Sequence, residues 1–206
     1  MIKEQQKKVE IGTVKRQDIL ENQAKIVFLG IGSNLGLRKT NIEKAKFLLA
    51  EYNLDFLSVS SYYETPSWPD PKKPKFLNII LKLKCYCNPQ ELLKICKSIE
   101  FKLGRKKAKK NAPRTCDLDI IDFNKLVSKK NAKINLPHKM MHKRSFVLFP
   151  LFEIQKNWVH PYKQIDVKTL ISLLPDRDIR SIKQIWFSGI ILIMLNSNEL
   201  INKVKN

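Results

Sequence analysis

The chain has 206 residues, of which 43% are hydrophobic, and its 39 Lys and Arg against 19 Asp and Glu give a formal net charge of +20. This length and apolar content suffice for one domain with a hydrophobic core and tails. The charge favours a polyanion as partner: nucleic acid, a phosphorylated metabolite or an acidic membrane surface. Lysine is spread along the whole chain, however. We therefore interpret the charge as a compositional bias on solvated faces and expect no nucleic-acid partner.

The sequence gives no signal for secretion or for a membrane span. The first 23 residues are polar, include acids and lack the hydrophobic core of a signal peptide. The longest apolar run, SGIILIMLN, is far shorter than the roughly 20 residues that span a bilayer. The four cysteines lack zinc-type spacing, and Cys85 and Cys87 lie in an apolar strand pattern. We expect reduced thiols, a cytoplasmic location and no membrane partner.

Hydrophobic periodicity and turn residues predict the order of the secondary structure. The predicted elements are a strand over 25–34, a helix over 38–52, strands over 54–66 and 76–87, a helix from Pro89 to Gly104 with Asn88 as its N-cap, and a strand over 111–123. This β-α-β-β-α-β order is the ferredoxin-like split βαβ arrangement. The predicted fold class is therefore α+β, a two-layer sandwich with extra C-terminal elements, among them a short helix in DVKTLISLLP.

We divide the chain into three parts on this basis. Residues 1–24 form a polar N-terminal extension, residues 25–175 the domain, and residues 176–206 a C-terminal tail of unknown role. The glycine-rich GIGSNLG between the first strand and the first helix has neither Rossmann nor Walker spacing, so it predicts a tight turn and no nucleotide fingerprint.

The last predicted strand carries the strongest chemical signal. Alternation along a strand puts Asp117 and Asp119 on one face and apolar neighbours on the other. Two carboxylates suit Mg²⁺, which takes its remaining ligands from water and substrate phosphates. The nearby cations Arg105, Lys107 and Arg114 are placed to hold the same polyphosphate. On spacing alone, a metal-binding edge and a solvated strand stay equally open.

Six motifs in one order make the signal specific: GSNLG, SSYYETP, FLN, LGR, APRTCDLDI and LPHKMMHKRSFVLFPLFEI. Over roughly residues 25–175 the chain thereby resembles the 6-hydroxymethyl-7,8-dihydropterin pyrophosphokinase family of the folate pathway. The resemblance implies a ferredoxin-like fold and transfer of a pyrophosphoryl group from ATP to the hydroxymethyl oxygen of the pterin, leaving AMP. It also implies two Mg²⁺ ions, with ATP and the pterin as small-molecule partners.

The resemblance assigns roles to individual residues. The family's metal ligands match Asp117 and Asp119, its phosphate-contacting catalytic residues Arg105, Lys107 and Arg114, its ATP-binding residues His138 and Arg144, and its pterin-binding residues Thr65, Pro66, Trp68, Phe76, Asn78 and Phe146. A flat ring favours aromatic faces on both sides, as Phe76 and Phe146 would supply, and Asn78 has both donors and acceptors for the ring edge. Glu100 also aligns with a family acid, but the sequence assigns it no role.

The chain departs from the family pattern at several positions. Asn111-Ala112 replaces the usual Trp-Gly, and Lys97 stands where a polar uncharged residue is common. Lys107 supplies charge without the bidentate fork of arginine. Two alternatives remain open: a non-catalytic RNA-binding module on the same fold, and a degenerate paralogue that binds pterin or ATP without turnover. We expect a monomer.

Overall fold

The structure is a computed structural model that describes residues 23–67, 70–105, 112–130, 132–187 and 192–195. Its strands are β1 Lys25–Ser33, β2 Leu54–Val59, β3 Tyr62–Thr65, β4 Phe76–Cys85, β5 Asp117–Phe123, β6 Lys183–Phe187 and β7 Leu192–Leu195. Its helices are α1 Arg38–Ala50, α2 Pro89–Lys102, α3 Ser145–Ile154, α4 Val167–Ser172 and α5 Asp176–Arg180, with a 3₁₀ turn at Met141–Lys143 before α3.

The strands form one sheet in which every described pair is antiparallel. The strand order is β5-β1-β4-β3-β6-β7, and β2 pairs with β4 beside β3. β1 and β4 pair along their full length, from Lys25 opposite Cys85 to Ser33 opposite Leu77. The protein thus has a mixed α/β fold built on an antiparallel sheet.

Helices cover both faces of the sheet. Leu29 and Leu81 pack with α1 and α2 on one face, whereas Phe28 and Ile80 pack with α3 and α4 on the other. Because consecutive strand residues point to opposite faces, the central strands are apolar on both sides. The C-terminal elements that the sequence predicted as additions therefore form a third layer.

Helix α2 begins at Pro89, as predicted, and ends at Lys102, two residues before the predicted end at Gly104. The Asn88 side chain accepts a hydrogen bond from the Glu91 amide, and the Glu91 carboxylate accepts one from the Asn88 amide, which completes a capping box. Gly104 lies just past the end with φ +84, a conformation that favours glycine. These caps fix the direction of the last turn of α2, and Arg105 just after it contacts Asp117 at the start of β5.

The predicted strand over 54–66 is two strands. At the break, the Glu153 carboxylate of α3 accepts hydrogen bonds from the Ser61 amide at 3.0 and 3.1 Å and from the Ser61 hydroxyl at 2.6 Å. Glu153 also accepts one from the Tyr63 hydroxyl at 2.9 Å. This partner lies 92 residues away in the chain, so the local pattern did not reveal the break. The predicted strand over 111–123 is also shorter than expected, because β5 begins at Asp117.

The sheet continues past residue 175, where the domain was predicted to end. β6 pairs with β3, placing Ile185 opposite Tyr62, and both Ile182 and Ile185 are buried. Nearly all of the predicted extension 1–24 and the end of the tail lie outside the described residues.

Among the described residues, no helix is both long and apolar enough to cross a membrane.

Candidate active site

A cavity of about 310 Å³ opens where β1, β4 and β5 meet the loops that follow α2 and precede α3. The predicted site residues that line it are Pro66, Phe76, Asn78, Arg105, Arg114, Asp117, Asp119, His138, Arg144 and Phe146. Thr65 lies behind the wall, against Asn78. Lys107 and Trp68 fall outside the described residues. Predicted site residues that are up to 80 positions apart in sequence, from 66 to 146, therefore line one cavity.

Asp117 is held by two arginines from different sides. Arg105 Nη1 donates to Asp117 Oδ1 at 2.9 Å, and Arg114 Nη1 lies 3.0 Å from both carboxylate oxygens. Burial lowers the pKa of Arg105, but the carboxylates of Asp117 and Glu100 together raise that pKa above its ordinary value. The charges therefore form a compact network at the carboxylate end of the cavity.

Asp119 has looser contacts. Its Oδ2 lies 3.7 Å from Arg144 Nη1 and 4.0 Å from His138 Nε2, and its side chain is 39% exposed. His138 is oriented by its Nδ1, which accepts a hydrogen bond from the Met140 amide at 3.2 Å. Burial lowers the pKa of His138 more than the Asp119 carboxylate raises it. Burial therefore favours the neutral form of the His138 imidazole.

The donor chemistry of the two aspartates fits Mg²⁺. Both lie two residues apart on β5, line the same cavity and keep part of their carboxylates accessible. Within the described ranges, no three His, Cys, Asp or Glu side chains cluster as a complete metal cage. Hard oxygen donors from one or two carboxylates, completed by water and phosphate, are the ligand set that Mg²⁺ favours.

The turn after β1 fixes the backbone around these charges. The Asn34 amide donates to the Arg114 carbonyl at 3.2 Å, and Asn34 Oδ1 accepts from the Arg114 amide at 2.8 Å. Asn34 Nδ2 also donates to the Pro74 carbonyl at 3.2 Å, at the end of the loop that carries Pro66. The sequence indicated only a tight turn here. Asn34 in fact joins the loop before β4 to the segment before β5.

The aromatic side of the cavity is formed by Phe76 and Phe146. Both are half-buried, unlike the fully buried phenylalanines of the core. The Arg144 guanidinium lies 5.5 Å from the centre of the Phe146 ring, a cation–π distance. Exposed aromatic faces beside charged groups suit a ligand that combines a flat ring with phosphates.

Asn78 is held in one orientation below this aromatic wall. Its Nδ2 is 3.3 Å from Thr65 Oγ1 and 3.5 Å from the Tyr63 carbonyl. Its Oδ1 faces Gly32, where an added Cβ would lie only 2.8 Å away. Gly32 is thus required for this close approach, a role that its motif did not reveal. With its donor group occupied, Asn78 offers the cavity a carbonyl oxygen.

Two further residues of α2 belong to the site. Lys97 lines the cavity, and Glu100, buried beside it, bonds to Arg105. The sequence marked both residues without giving either a role. Their three-residue spacing was the available signal, since such residues share one face of a helix.

A mixed α/β fold whose cavity sets two carboxylates among arginines, beside a flat aromatic wall, is typical of a transferase of phosphoryl-type groups. Residues 28–156 match the family model described as 7,8-dihydro-6-hydroxymethylpterin-pyrophosphokinase. The chain belongs to this family, as the ordered motifs predicted. Members of the family are pyrophosphokinases, enzymes that transfer a diphosphate group.

Named relatives agree with this membership. The 2-amino-4-hydroxy-6-hydroxymethyldihydropteridine pyrophosphokinase of Aquifex aeolicus is 39% identical over 135 residues, covering 66% of this chain and 83% of that protein. The Bacillus subtilis protein of the same name is 38% identical over 130 residues, covering 63% of this chain and 77% of its own length.

A solved structure supports the fold. It is the wild-type HPPK-DHPS of Plasmodium falciparum with pterin and p-hydroxybenzoate, which superposes with a TM-score of 0.66 at 16% identity. The match covers 84% of this chain but only 49% of that longer protein. At this identity the likeness concerns the fold alone.

Proposed function

We propose that this chain transfers the pyrophosphoryl group of ATP to the hydroxymethyl oxygen of 6-hydroxymethyl-7,8-dihydropterin, a step of folate biosynthesis, using the residues of the cavity. The reaction follows from membership of a pyrophosphokinase family. The residue roles are our proposal. Asp117 and Asp119 hold Mg²⁺, Arg105, Lys107 and Arg114 contact the transferring phosphates, His138 and Arg144 bind ATP, and Thr65, Pro66, Trp68, Phe76, Asn78 and Phe146 form the pterin pocket.

One observation carries these roles. Of the described residues proposed for the phosphates and for the ring, all but Thr65 line one cavity, although they come from separate parts of the chain. The carboxylates lie at the start of β5 and Phe76 and Asn78 at the start of β4, and Gly32 of β1 pairs with both Asp117 and Asn78. We propose that a pterin held between the phenylalanines points its hydroxymethyl group towards the aspartates.

The polar contacts suggest how the cavity takes up the triphosphate. The guanidinium groups of Arg105 and Arg114 bond to Asp117. Phosphate oxygens offer the same guanidinium groups a higher negative charge. On binding, these guanidinium groups exchange the carboxylate for phosphates, which frees Asp117 to act as a metal ligand. When bound to these aspartates, Mg²⁺ would neutralise the charge that develops on the transferring group.

The pterin oxygen needs orientation more than activation. Phosphoryl-type transfers pass through loose transition states in which positioning and charge stabilisation dominate. Phe76 and Phe146 hold the ring plane, and the Asn78 carbonyl oxygen accepts a hydrogen bond from the ring edge. Pro66 and Ser67 close the wall on the ring side and exclude water that would otherwise accept the group.

The test is a direct assay. The protein is incubated with ATP, Mg²⁺ and 6-hydroxymethyl-7,8-dihydropterin, and the nucleotide products are separated. We expect AMP in amounts equal to the pterin diphosphate, and no AMP when the pterin is left out. Release of ADP would contradict the proposal, and so would the absence of turnover that depends on pterin, which would favour the degenerate paralogue.

The finer predictions from the sequence keep the status of proposals. The ferredoxin-like arrangement is supported by the order β5-β1-β4, with β2 and β3 together on the far side of β4. Two Mg²⁺ ions, a monomeric state, a cytoplasmic location and the absence of a nucleic-acid partner stay predictions, as does the division into 1–24, 25–175 and 176–206.

A further inference from the structure

Glu100 is a buried acid with cationic partners. Its side chain is 1% exposed. Lys97 Nζ lies 3.0 and 2.9 Å from its two oxygens, and Arg105 Nη1 lies 2.5 Å from Oε2. A buried carboxylate is costly unless it is paired and hydrogen-bonded. Glu100 therefore holds both cations at a fixed place on the rim of the cavity.

A third partner connects Glu100 to the proposed metal ligands. Glu100 Oε1 accepts a hydrogen bond from the Leu118 amide at 2.9 Å, and Leu118 lies between Asp117 and Asp119. β5 pairs only with β1 among the described strands, so its outward amides need partners other than a strand. The Glu100 carboxylate supplies that partner at the one residue flanked by both aspartates.

These contacts form an alternating chain of charges, Lys97–Glu100–Arg105–Asp117–Arg114. Its two acids differ in access. The Asp117 side chain is 24% exposed and faces the cavity, whereas Glu100 is sealed beneath it. A triphosphate can therefore draw Arg105 away from Asp117, but neither metal nor phosphate can reach Glu100.

We propose that Glu100 is a positioning residue for pyrophosphoryl transfer, which keeps Arg105 aimed at the phosphates after Asp117 has released it and fixes the β5 backbone between the two aspartates. Lys97, held by the same carboxylate, adds a further cation to the phosphate end of the cavity. The proposal rests on the proposed function, because it gives Arg105 a phosphate to contact.

A Glu100→Gln variant tests this role. Glutamine keeps the size and an acceptor for the Leu118 amide but removes the charge that holds Arg105. We expect kcat to fall about 10- to 100-fold, as is usual when a contacting group is misplaced, at a temperature where circular dichroism shows a folded protein.

Glu91→Gln is the matched control, since it is the same change on the same helix in an exposed capping box, and we expect its kcat to stay within about twofold. An unchanged kcat in Glu100→Gln, with only a lower Tm, would mean a purely structural role and would overturn the proposal.

A double-mutant cycle shows whether Glu100 acts through Arg105. Arg105→Ala alone lowers kcat, and adding Glu100→Gln to it should cost less than about threefold more, because the group to be positioned is already gone. Independent, multiplicative losses would overturn the proposal.

Hydrogen exchange provides a readout without turnover. The Leu118 amide should exchange faster in Glu100→Ala than in Glu100→Gln, which retains the acceptor, and equal rates would contradict the backbone role. If Glu100→Ala does not fold, Glu100→Met, which has a similar size but no hydrogen-bond acceptor, takes its place in the same comparison with Glu100→Gln. A wild-type protein that forms no AMP would refute the proposed function instead, and the exchange result would still stand.

Discussion

The two ends of β5 hold carboxylates in opposite ways. At the cleft end, Asp117 and Asp119 contact side chains of arginine and histidine, and both remain partly exposed. At the anchored end, Asp122 is 1% exposed. Its Oδ1 accepts a hydrogen bond from the Lys125 amide at 2.9 Å, and its Oδ2 accepts one from Trp158 Nε1 at 2.8 Å.

The carboxylates at the cleft end have partners that can exchange, whereas the carboxylate of Asp122 has permanent ones. Guanidinium groups on long side chains can leave a carboxylate when phosphate or metal arrives, whereas a backbone amide and a packed indole cannot. Burial, chiefly, raises the pKa of Asp122, and the Trp158 hydrogen bond opposes that rise. We infer that the cleft end is built for ligand exchange and the anchored end for stability, although the three acids lie within six residues of one strand.

The largest effect should come from Asp117→Asn. Asparagine keeps the shape but loses the charge that a metal ligand needs, so we expect kcat/KM to fall by about a thousandfold or more, equivalent to about 4 kcal/mol of transition-state stabilisation. The free energy of unfolding should change by less than about 1 kcal/mol, because the lost ion pairs are partly exposed. Steady-state AMP formation and urea denaturation measure the two quantities.

Asp176→Asn is the control for this substitution. Asp176 carries an exposed carboxylate on α5, 87% accessible and outside the cavity, so both quantities should match those of the wild type. An Asp117→Asn protein that keeps full turnover would remove the distinction between the two ends of the strand.

The sequence predicted which side chains of the cleft end are buried, because the signal for burial is local. Alternation of polar and apolar residues correctly placed Cys116, Leu118 and Ile120 in the core beneath Asp117 and Asp119. The caps of α2 could also be predicted, since an N-cap residue, a proline and a terminal glycine lie within or next to the helix's own sequence. Ordered motifs then supplied the family, which no spacing rule could give.

Contacts between distant segments could not be predicted. The break between β2 and β3 depends on Glu153, and the role of Glu100 depends on an amide 18 residues away. The end of β5 was also obscured. A β-bulge opposite Phe28 and Leu29 shifts the register, and the sheet is covered on both faces there. Ile121, Asp122 and Phe123 are therefore all buried, and the alternation is lost. Asp122 therefore gave no pattern from which its anchoring role could be inferred.

The second prediction concerns the anchored end. Asp122→Ala would leave the Trp158 indole N–H and the Lys125 amide without an acceptor, so we expect the free energy of unfolding to fall by about 3 kcal/mol. Asp122→Asn retains one acceptor oxygen and should cost about 1 kcal/mol. In both variants kcat of the folded protein should stay within about threefold of the wild type. A thousandfold loss of turnover without destabilisation would instead place Asp122 with the catalytic acids.

The smallest expected effect is a dependence of stability on pH at the anchored end. His160 is 4% exposed and packs edge-on against Trp158, with ring centres 5.7 Å apart. Burial, and to a lesser degree the charges of His142 and Lys163, lowers the pKa of His160 to about 4. The unfolded side chain titrates near its ordinary pKa of about 6.5, so between these values the unfolded state binds a proton that the folded state excludes.

The free energy of unfolding should therefore decrease as the pH falls from about 6.5 to about 4, by on the order of 2 kcal/mol from this residue. His160 Nδ1 accepts hydrogen bonds from the Tyr162 and Lys163 amides, each at 3.2 Å, and an asparagine oxygen can replace that acceptor. His160→Asn should flatten the slope of stability against pH in this window, while a smaller slope from His142, whose pKa burial also lowers, persists. Urea denaturation at a series of pH values gives the slopes of the wild type and of the variant. Equal slopes in wild type and variant would show that His160 takes up its proton as readily in the folded state as in the unfolded state, and would contradict this prediction.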